Sequence, residues 1–218
     1  EGPGMTHPPA VETALRSLFP AGVAVAVERT AVSDPTTLWP DELAAMVGAV
    51  SRRLAEFTAG RIAARRVLAS LGHPPAALPM GADRAAIWPP GLSGSIAHDA
   101  DLAIAVGRMG APIGVDLEPD APLEEALWPV ICQERELTRL QGDIGRQVRQ
   151  VFCAKEAVFK AQPADARAMF GFDILDVTLA EGRFDAQFRA SVGPFRAGQV
   201  LSGSLAVVGG VILAGVAW

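Results

Sequence analysis

Three stretches of the chain place charged side chains at spacings that can do chemistry. In Pro112-Ile113-Gly114-Val115-Asp116-Leu117-Glu118-Pro119, Asp116 and Glu118 stand two apart in an otherwise apolar, strand-like run. At about 3.3 Å per residue, such positions leave the same face of a strand with their carboxylates about 7 Å apart at the base, so they can converge on one ion. Like charges this close repel unless a cation or a donor sits between them, and Mg²⁺ favours one or two carboxylates with substrate phosphate oxygens and water. The same spacing also suits two solvated acids at a strand end. Gly114, just before the pair, marks a point where a ligand or another backbone can come close.

The second stretch, Phe152-Cys153-Ala154-Lys155-Glu156-Ala157-Val158-Phe159-Lys160-Ala161, has helical periodicity, with Val148, Val151, Phe152, Val158 and Phe159 on one apolar stripe. At about 100° per residue, Lys155 falls inside that stripe, Glu156 at its edge and Lys160 about one turn further on. Charges in such places need partners. Glu156 and Lys160 can make an ordinary i,i+4 pair, worth about 0.2–0.5 kcal/mol, while Lys155 snorkels outward; alternatively they serve a site.

The third is basic. The segment from Arg52 to Arg66 is helical by pattern and carries five arginines, Arg52, Arg53, Arg61, Arg65 and Arg66. Arg61 and Arg65 share a face, with Arg53 about two turns earlier, and such a face can grip a polyanion through forked, charge-assisted hydrogen bonds or lie solvated on the surface. Gly91-Leu92-Ser93-Gly94-Ser95-Ile96-Ala97-His98-Asp99 reads as a small-residue loop ahead of a strand, where His98 and backbone amides can meet a phosphate.

These groups must be positioned by a folded frame. With 218 residues, half of them hydrophobic and 20% charged, the chain can bury a sizeable core. A net charge of −5 argues against a protein that coats nucleic acid, though not against local basic patches. The apolar run from Leu205 to Trp218 is shorter than the ~20 residues of a membrane helix and reads as two strands joined at Gly209-Gly210. Cys132 and Cys153 lie in helical-looking stretches without a secretory signal pattern, which points to buried thiols in a reduced, cytoplasmic protein. Glu1-Gly2-Pro3-Gly4 before Met5 reads as a remnant left by expression.

Element order repeats along the chain. A strand at Val23 to Val27, a helical block from Trp39-Pro40-Asp41-Glu42 to Leu71, and strands at Leu102 to Val106 and Ile113 to Leu117 give a first strand, helices, strands series. A helical stretch from about Glu134 to Ala161 and strands at Ile174 to Leu179, Phe184 to Phe188, Leu201 to Val208 and Val211 to Val216 make a second. This predicts an α+β architecture of two similar halves, 5–111 and 112–218, with a site at their junction.

Taken together, Arg-x-x-x-Phe-x-x-Gly-Arg-x-x-x-Arg from Arg53, Gly-Ser-x-x-His ending at His98, Gly-x-Asp-x-Glu from Gly114 and Phe-x-x-Lys-Glu-x-x-x-Lys from Phe152 resemble the Sfp-type 4'-phosphopantetheinyl transferases, particularly the branch that activates siderophore and polyketide synthases. The resemblance runs from about Arg52 to Lys160. It implies a pseudo-twofold fold of duplicated α+β halves with coenzyme A between them. By that resemblance Asp116, Glu118 and Glu156 are Mg²⁺ ligands, with Mn²⁺ as a substitute. Arg53, Arg61, Arg84, Ser95, His98, Lys155 and Lys160 are the coenzyme A contacts, and Glu156, Lys160 and Asp116 are the catalytic set. Arg84 stands where many relatives carry lysine, and Ala97 stands where they usually carry serine or threonine, a lost hydroxyl that Ser95 can replace. The implied reaction is attack by a carrier-protein serine on the β-phosphate of coenzyme A, releasing 3',5'-ADP, with Glu156 or a metal-bound water as base. A catalytically silent coenzyme A- or carrier-binding module is the alternative. The implied partners are acyl or peptidyl carrier domains of polyketide, nonribosomal peptide or fatty-acid synthases, met by a monomer with no nucleic acid or membrane. Leu123, Leu127 and Trp128 either offer the carrier an apolar patch or pack into the core.

Overall fold

The alternating valines and alanines after Val23 form strand β1 (Ala24–Arg29) of the computed structural model, which describes residues 7–99 and 101–218. Ahead of it lies α1 (Pro8–Ser17), an amphipathic helix that no sequence pattern singled out, burying Val11 and Leu15. The helical block after Trp39 is interrupted. A single turn, α2 (Pro40–Leu43), is separated by Gly48, whose positive φ breaks the helical path, from the long α3 (Ser51–Ser70). The glycine-rich stretch before Asp99 is not a loop but a strand, β2 (Leu92–His98), which pairs antiparallel along β3 (Leu102–Met109). Its small residues serve packing: a Cβ on Gly94 would fall within 2.2 Å of the Trp88 ring.

After the turn at 110–112 comes β4 (Ile113–Pro119). After a single turn, α4 (Trp128–Ile131), the second helical block is also broken, into α5 (Glu134–Leu137) and the long α6 (Ile144–Lys160), with Gly142 at positive φ before α6 and the Asp143 carboxylate capping its N-terminus. Strands β5 (Leu175–Ala180), β6 (Arg183–Phe188), β7 (Val200–Val208) and β8 (Val211–Ala217) complete the chain. Gly209 and Gly210 both take positive φ in the hairpin joining the last two, as a tight two-residue turn requires.

The fold is α+β, with two antiparallel sheets ordered β1-β3-β2 and β4-β8-β7-β6-β5. Residues up to 109 supply the first and residues from 113 the second, each with one long helix packed against it. They are not separate bodies. One core cluster joins Val11 and Leu15 of α1, Val25 and Val27 of β1, and Ile104 and Val106 of β3 to Val115 and Leu117 of β4 and Leu213 of β8. The Val115 amide also donates to the Ser95 hydroxyl across the junction, 3.1 Å. The proposed expression remnant, 1–4, lies outside the described residues.

Period-two alternation on β4 sends Val115 and Leu117 into this shared core and Gly114, Asp116 and Glu118 toward α6. Gly114 allows the approach. A Cβ there would lie 2.0 Å from the Ala157 carbonyl oxygen and 2.6 Å from the Ala161 nitrogen, so the backbone that comes close is that of α6. Because neither group is a flexible side chain, Gly114→Ala forces helix and strand apart, at an expected cost of about 3 kcal/mol. Chemical denaturation will read this as a lowered midpoint at unchanged slope.

Candidate active site

A cavity of about 290 Å³ opens between the halves. One wall is basic. From α3, Arg53, Glu56 and Arg61 face it, with His98 from the end of β2 and Arg84 from the loop after Gly81. Arg61 is held rigidly: its Nε donates to the Leu78 carbonyl at 2.6 Å and its guanidinium stacks on Phe57, 4.0 Å from the ring centre. Burial pulls its pKa down to about 10, which leaves it charged at neutral pH. Arg84 is the one non-glycine among the described residues with positive φ, 68°, a strained setting of the kind found at ligand-facing turns. Arg53 donates to His98 Nε2 at 2.9 Å. Burial pushes the His98 pKa down, with Arg53 and Lys160 reinforcing this against Glu56 and Asp99, so the ring is neutral near pH 7.

The opposite wall comes from α6, where Glu156 and Lys160 line the cavity one turn apart. Lys160 does not pair along its own helix. Its ammonium donates to Asp116 Oδ1 on β4 at 2.6 Å, and Asp116 is 4% exposed. Burial works against the Lys160 charge, yet Asp116 and Glu156 outweigh it and raise its pKa. Asp116 Oδ2 is buried without a hydrogen-bond partner, which is costly unless a ligand completes it. Burial and the Asp116 charge together raise the pKa of Glu156 and of Glu118, the latter opposed by Arg149, which donates to Glu118 Oε2 at 2.9 Å.

Among the described residues, no three His, Cys, Asp or Glu side chains already converge into a metal shell. Instead cationic side chains are drawn onto the acids, Lys160 onto Asp116 and Arg149 onto Glu118. The donor set nevertheless fits a hard divalent cation: an orphaned buried carboxylate oxygen beside two acids whose ionisation it opposes.

The structure thus brings Glu156, Lys160, Arg53, Arg61, Arg84, Ser95 and His98 to one cleft; Asp116 is buried and joined to it through Lys160, and Glu118, paired with Arg149, does not line it. Lys155 is elsewhere. About 100° round α6 from Glu156, its side chain is wholly buried, and its ammonium donates to Glu136 Oε2 at 2.8 Å and to the carbonyls of Ile131 and Phe172. Placing it among the coenzyme A contacts is therefore corrected: with its donors consumed by α5 and the segments beside it, Lys155 is a strut that fixes the rotation of α6. Lys155→Met would strand Glu136, which also accepts from the Val177 and Gln133 amides, and is expected to lower stability by about 3–5 kcal/mol, measured by denaturant unfolding. Ala97 is packed in the shared core, not on the cavity wall, so no hydroxyl is missing from the cleft at that position. Leu123 and Trp128 pack against the core of the second half, while Leu127 is 43% exposed. The two cysteines are free and buried.

Some site residues gave no signal beforehand. Glu56 lies inside the arginine motif, where its spacing does not mark it as part of a site. Trp88 forms part of the cavity lining, and Asp83 and Arg167 pair across the cleft at 2.6 Å although 84 positions apart in the chain. No local spacing announces such a contact.

A cleft with arginines and a histidine on one side and a lysine with carboxylates on the other defines an enzyme class that handles a phosphorylated substrate. Residues 40–107 match the family model of the 4'-phosphopantetheinyl transferase N-terminal domain, and residues 112–202 that of the 4'-phosphopantetheinyl transferase superfamily. The chain is 35% identical over 170 residues to 4'-phosphopantetheinyl transferase Npt of Nocardia iowensis, covering 75% of this chain and 76% of that one. It is 37% identical to 4'-phosphopantetheinyl transferase Svp of Streptomyces mobaraensis over 60% of this chain and 57% of the relative. With Enterobactin synthase component D of Salmonella typhi it shares 36% identity over 65% of this chain and 61% of the relative. The chain belongs to the Sfp-like 4'-phosphopantetheinyl transferases, enzymes that transfer phosphopantetheine from coenzyme A to carrier proteins.

Proposed function

We propose that this chain loads acyl or peptidyl carrier domains of polyketide, nonribosomal peptide or fatty-acid synthases, acting as a cytoplasmic monomer with the phosphates of coenzyme A held between the two walls of the cleft. The single observation that carries this is the pairing of Lys160 with a buried, half-satisfied Asp116 beside Glu156, directly across from Arg53, Arg61 and His98. The basic wall binds and orients the nucleotide end. Lys160 offsets charge that builds on the departing phosphate, and Glu156, held partly out of water, takes the proton of the attacking serine hydroxyl. Asp116, Glu118 and Glu156 are the residues that would hold Mg²⁺, which when bound neutralises pyrophosphate charge as the 3',5'-ADP leaving group departs. No helix among the described residues is long and apolar enough to cross a membrane.

Mass spectrometry of an apo-carrier domain incubated with enzyme, coenzyme A and Mg²⁺ tests the reading. Covalent addition of the phosphopantetheine arm to the carrier serine is expected. Tight coenzyme A binding with every carrier left unmodified would instead establish a silent binding module. The basic wall has its own test: Arg61→Ala should weaken coenzyme A by about tenfold or more, given the worth of a charge-assisted hydrogen bond. Calorimetry with dephospho-coenzyme A tells which phosphate Arg61 meets. Equal weakening of both ligands assigns the pyrophosphate, selective weakening of coenzyme A assigns the 3'-phosphate, and no change removes Arg61 from the site.

A further inference from the structure

His98 has two faces in the cleft, and the groups on each constrain its protons. A guanidinium carries donors only, so the 2.9 Å contact with Arg53 requires Nε2 to be an unprotonated acceptor. The neutral ring therefore bears its hydrogen on Nδ1. Nδ1 faces Glu56 Oε2 at 3.6 Å, beyond hydrogen-bond length but within direct electrostatic reach. Glu56 is held in place, its side chain 10% exposed and its other oxygen accepting from Arg52 Nε at 2.8 Å. Around the ring stand two acids, Glu56 and Asp99, and two cations, Arg53 and Lys160.

A phosphate entering this cleft competes for Arg53 and meets the bare lone pair of Nε2, which repels it. Protonation of Nε2 turns that repulsion into a charge-assisted hydrogen bond. An imidazolium in this half-buried place is stabilised by an anion on its far side as well, and Glu56 is the carboxylate there. We infer that Glu56 is a positioning residue, the counter-ion that holds His98 in the Nδ1–H form and lets it take up a proton at Nε2 as a phosphate of coenzyme A binds. The proton comes from solvent, one per ligand, and no bond is broken. This rests on the reading that His98 faces the phosphates.

Calorimetric titration of the whole protein with coenzyme A, without Mg²⁺, at slightly alkaline pH and in buffers of different ionisation enthalpy, tests it. The wild type should take up close to one proton per ligand bound. His98→Gln should bind more weakly and lose the uptake, which separates the ring from the ligand's own phosphates. Glu56→Gln should lose about tenfold in affinity and most of the uptake, and the double variant should be no weaker than His98→Gln alone. If Glu56→Gln fails to fold, NMR of the His98 ring nitrogens in the wild type gives the answer directly: neutral Nδ1–H when free, doubly protonated with coenzyme A. A ring that stays neutral in the complex, or unchanged uptake and affinity in folded Glu56→Gln, overturns the inference. Unchanged coenzyme A affinity in His98→Gln is a different failure, since it overturns the phosphate reading of His98 itself.

Discussion

Asp116→Ala is expected to lower carrier loading by about 10²–10³-fold or more, the scale of losing a preorganised electrostatic contact at a reacting phosphate. The same substitution should leave the thermal midpoint unchanged or raised. Asp116 is buried with Oδ2 unpaired, so removing it relieves a desolvation cost that the Lys160 pair offsets only in part. Its loss frees Lys160, which is 28% exposed and can turn toward Glu156 or solvent. Stability retained or gained while activity disappears is the mark of a residue kept for function. Coenzyme A should still bind through the basic wall, weakly. Near-normal turnover by Asp116→Ala at millimolar Mg²⁺ would remove the carboxylate site from the proposal, and collapse of the fold would show Asp116 to be structural.

Glu156→Gln should reduce transfer by about 10²-fold or more, the lower end of what a general base contributes. Glutamine keeps the size and one carbonyl oxygen but cannot accept a proton. Burial and the Asp116 charge raise the Glu156 pKa, so the base fraction is complete only above that raised value and is lost as pH falls through it. The wild-type rate should therefore decline on the acid side, and Glu156→Gln should lose that limb. If Glu156 acts mainly as a ligand, extra Mg²⁺ or Mn²⁺ will restore much of the rate; if mainly as a base, it will not. A wild-type rate at every pH and metal concentration would reduce Glu156 to a bystander on α6.

Much of the site could be read from local order because its parts are carried on single elements. Gly114, Asp116 and Glu118 share one face of a strand, and Glu156 and Lys160 one face of a helix, so period alone placed them. What periodicity cannot supply is which charges meet. Lys155 and Lys160 stand five apart in one motif, yet one is locked to Glu136 and the other reaches Asp116, 44 positions away in the chain. Gly94 suggested a loop because its reason for being small, the Trp88 ring lying against it, comes from outside β2. The helix breaks at Gly48 and Gly142 could have been read from the residue type. Helix α1 makes sense only once the shared core that it covers is known.

That shared core bears on how substrate enters and product leaves. Two halves with separate cores can swing on a hinge, and such domain motions take microseconds to milliseconds. Here the strands flanking the cleft are fastened by one apolar cluster drawn from both halves and by the Ser95–Val115 hydrogen bond. Opening by rigid-body rotation would expose that cluster to water, so traffic falls to the parts that can move cheaply: the Asp83–Arg167 bridge in the cavity lining and the side chains of Arg53 and Lys160. Exchange of these groups belongs to nanoseconds through microseconds, and access to the cleft is correspondingly a matter of unlatching rather than of unfolding.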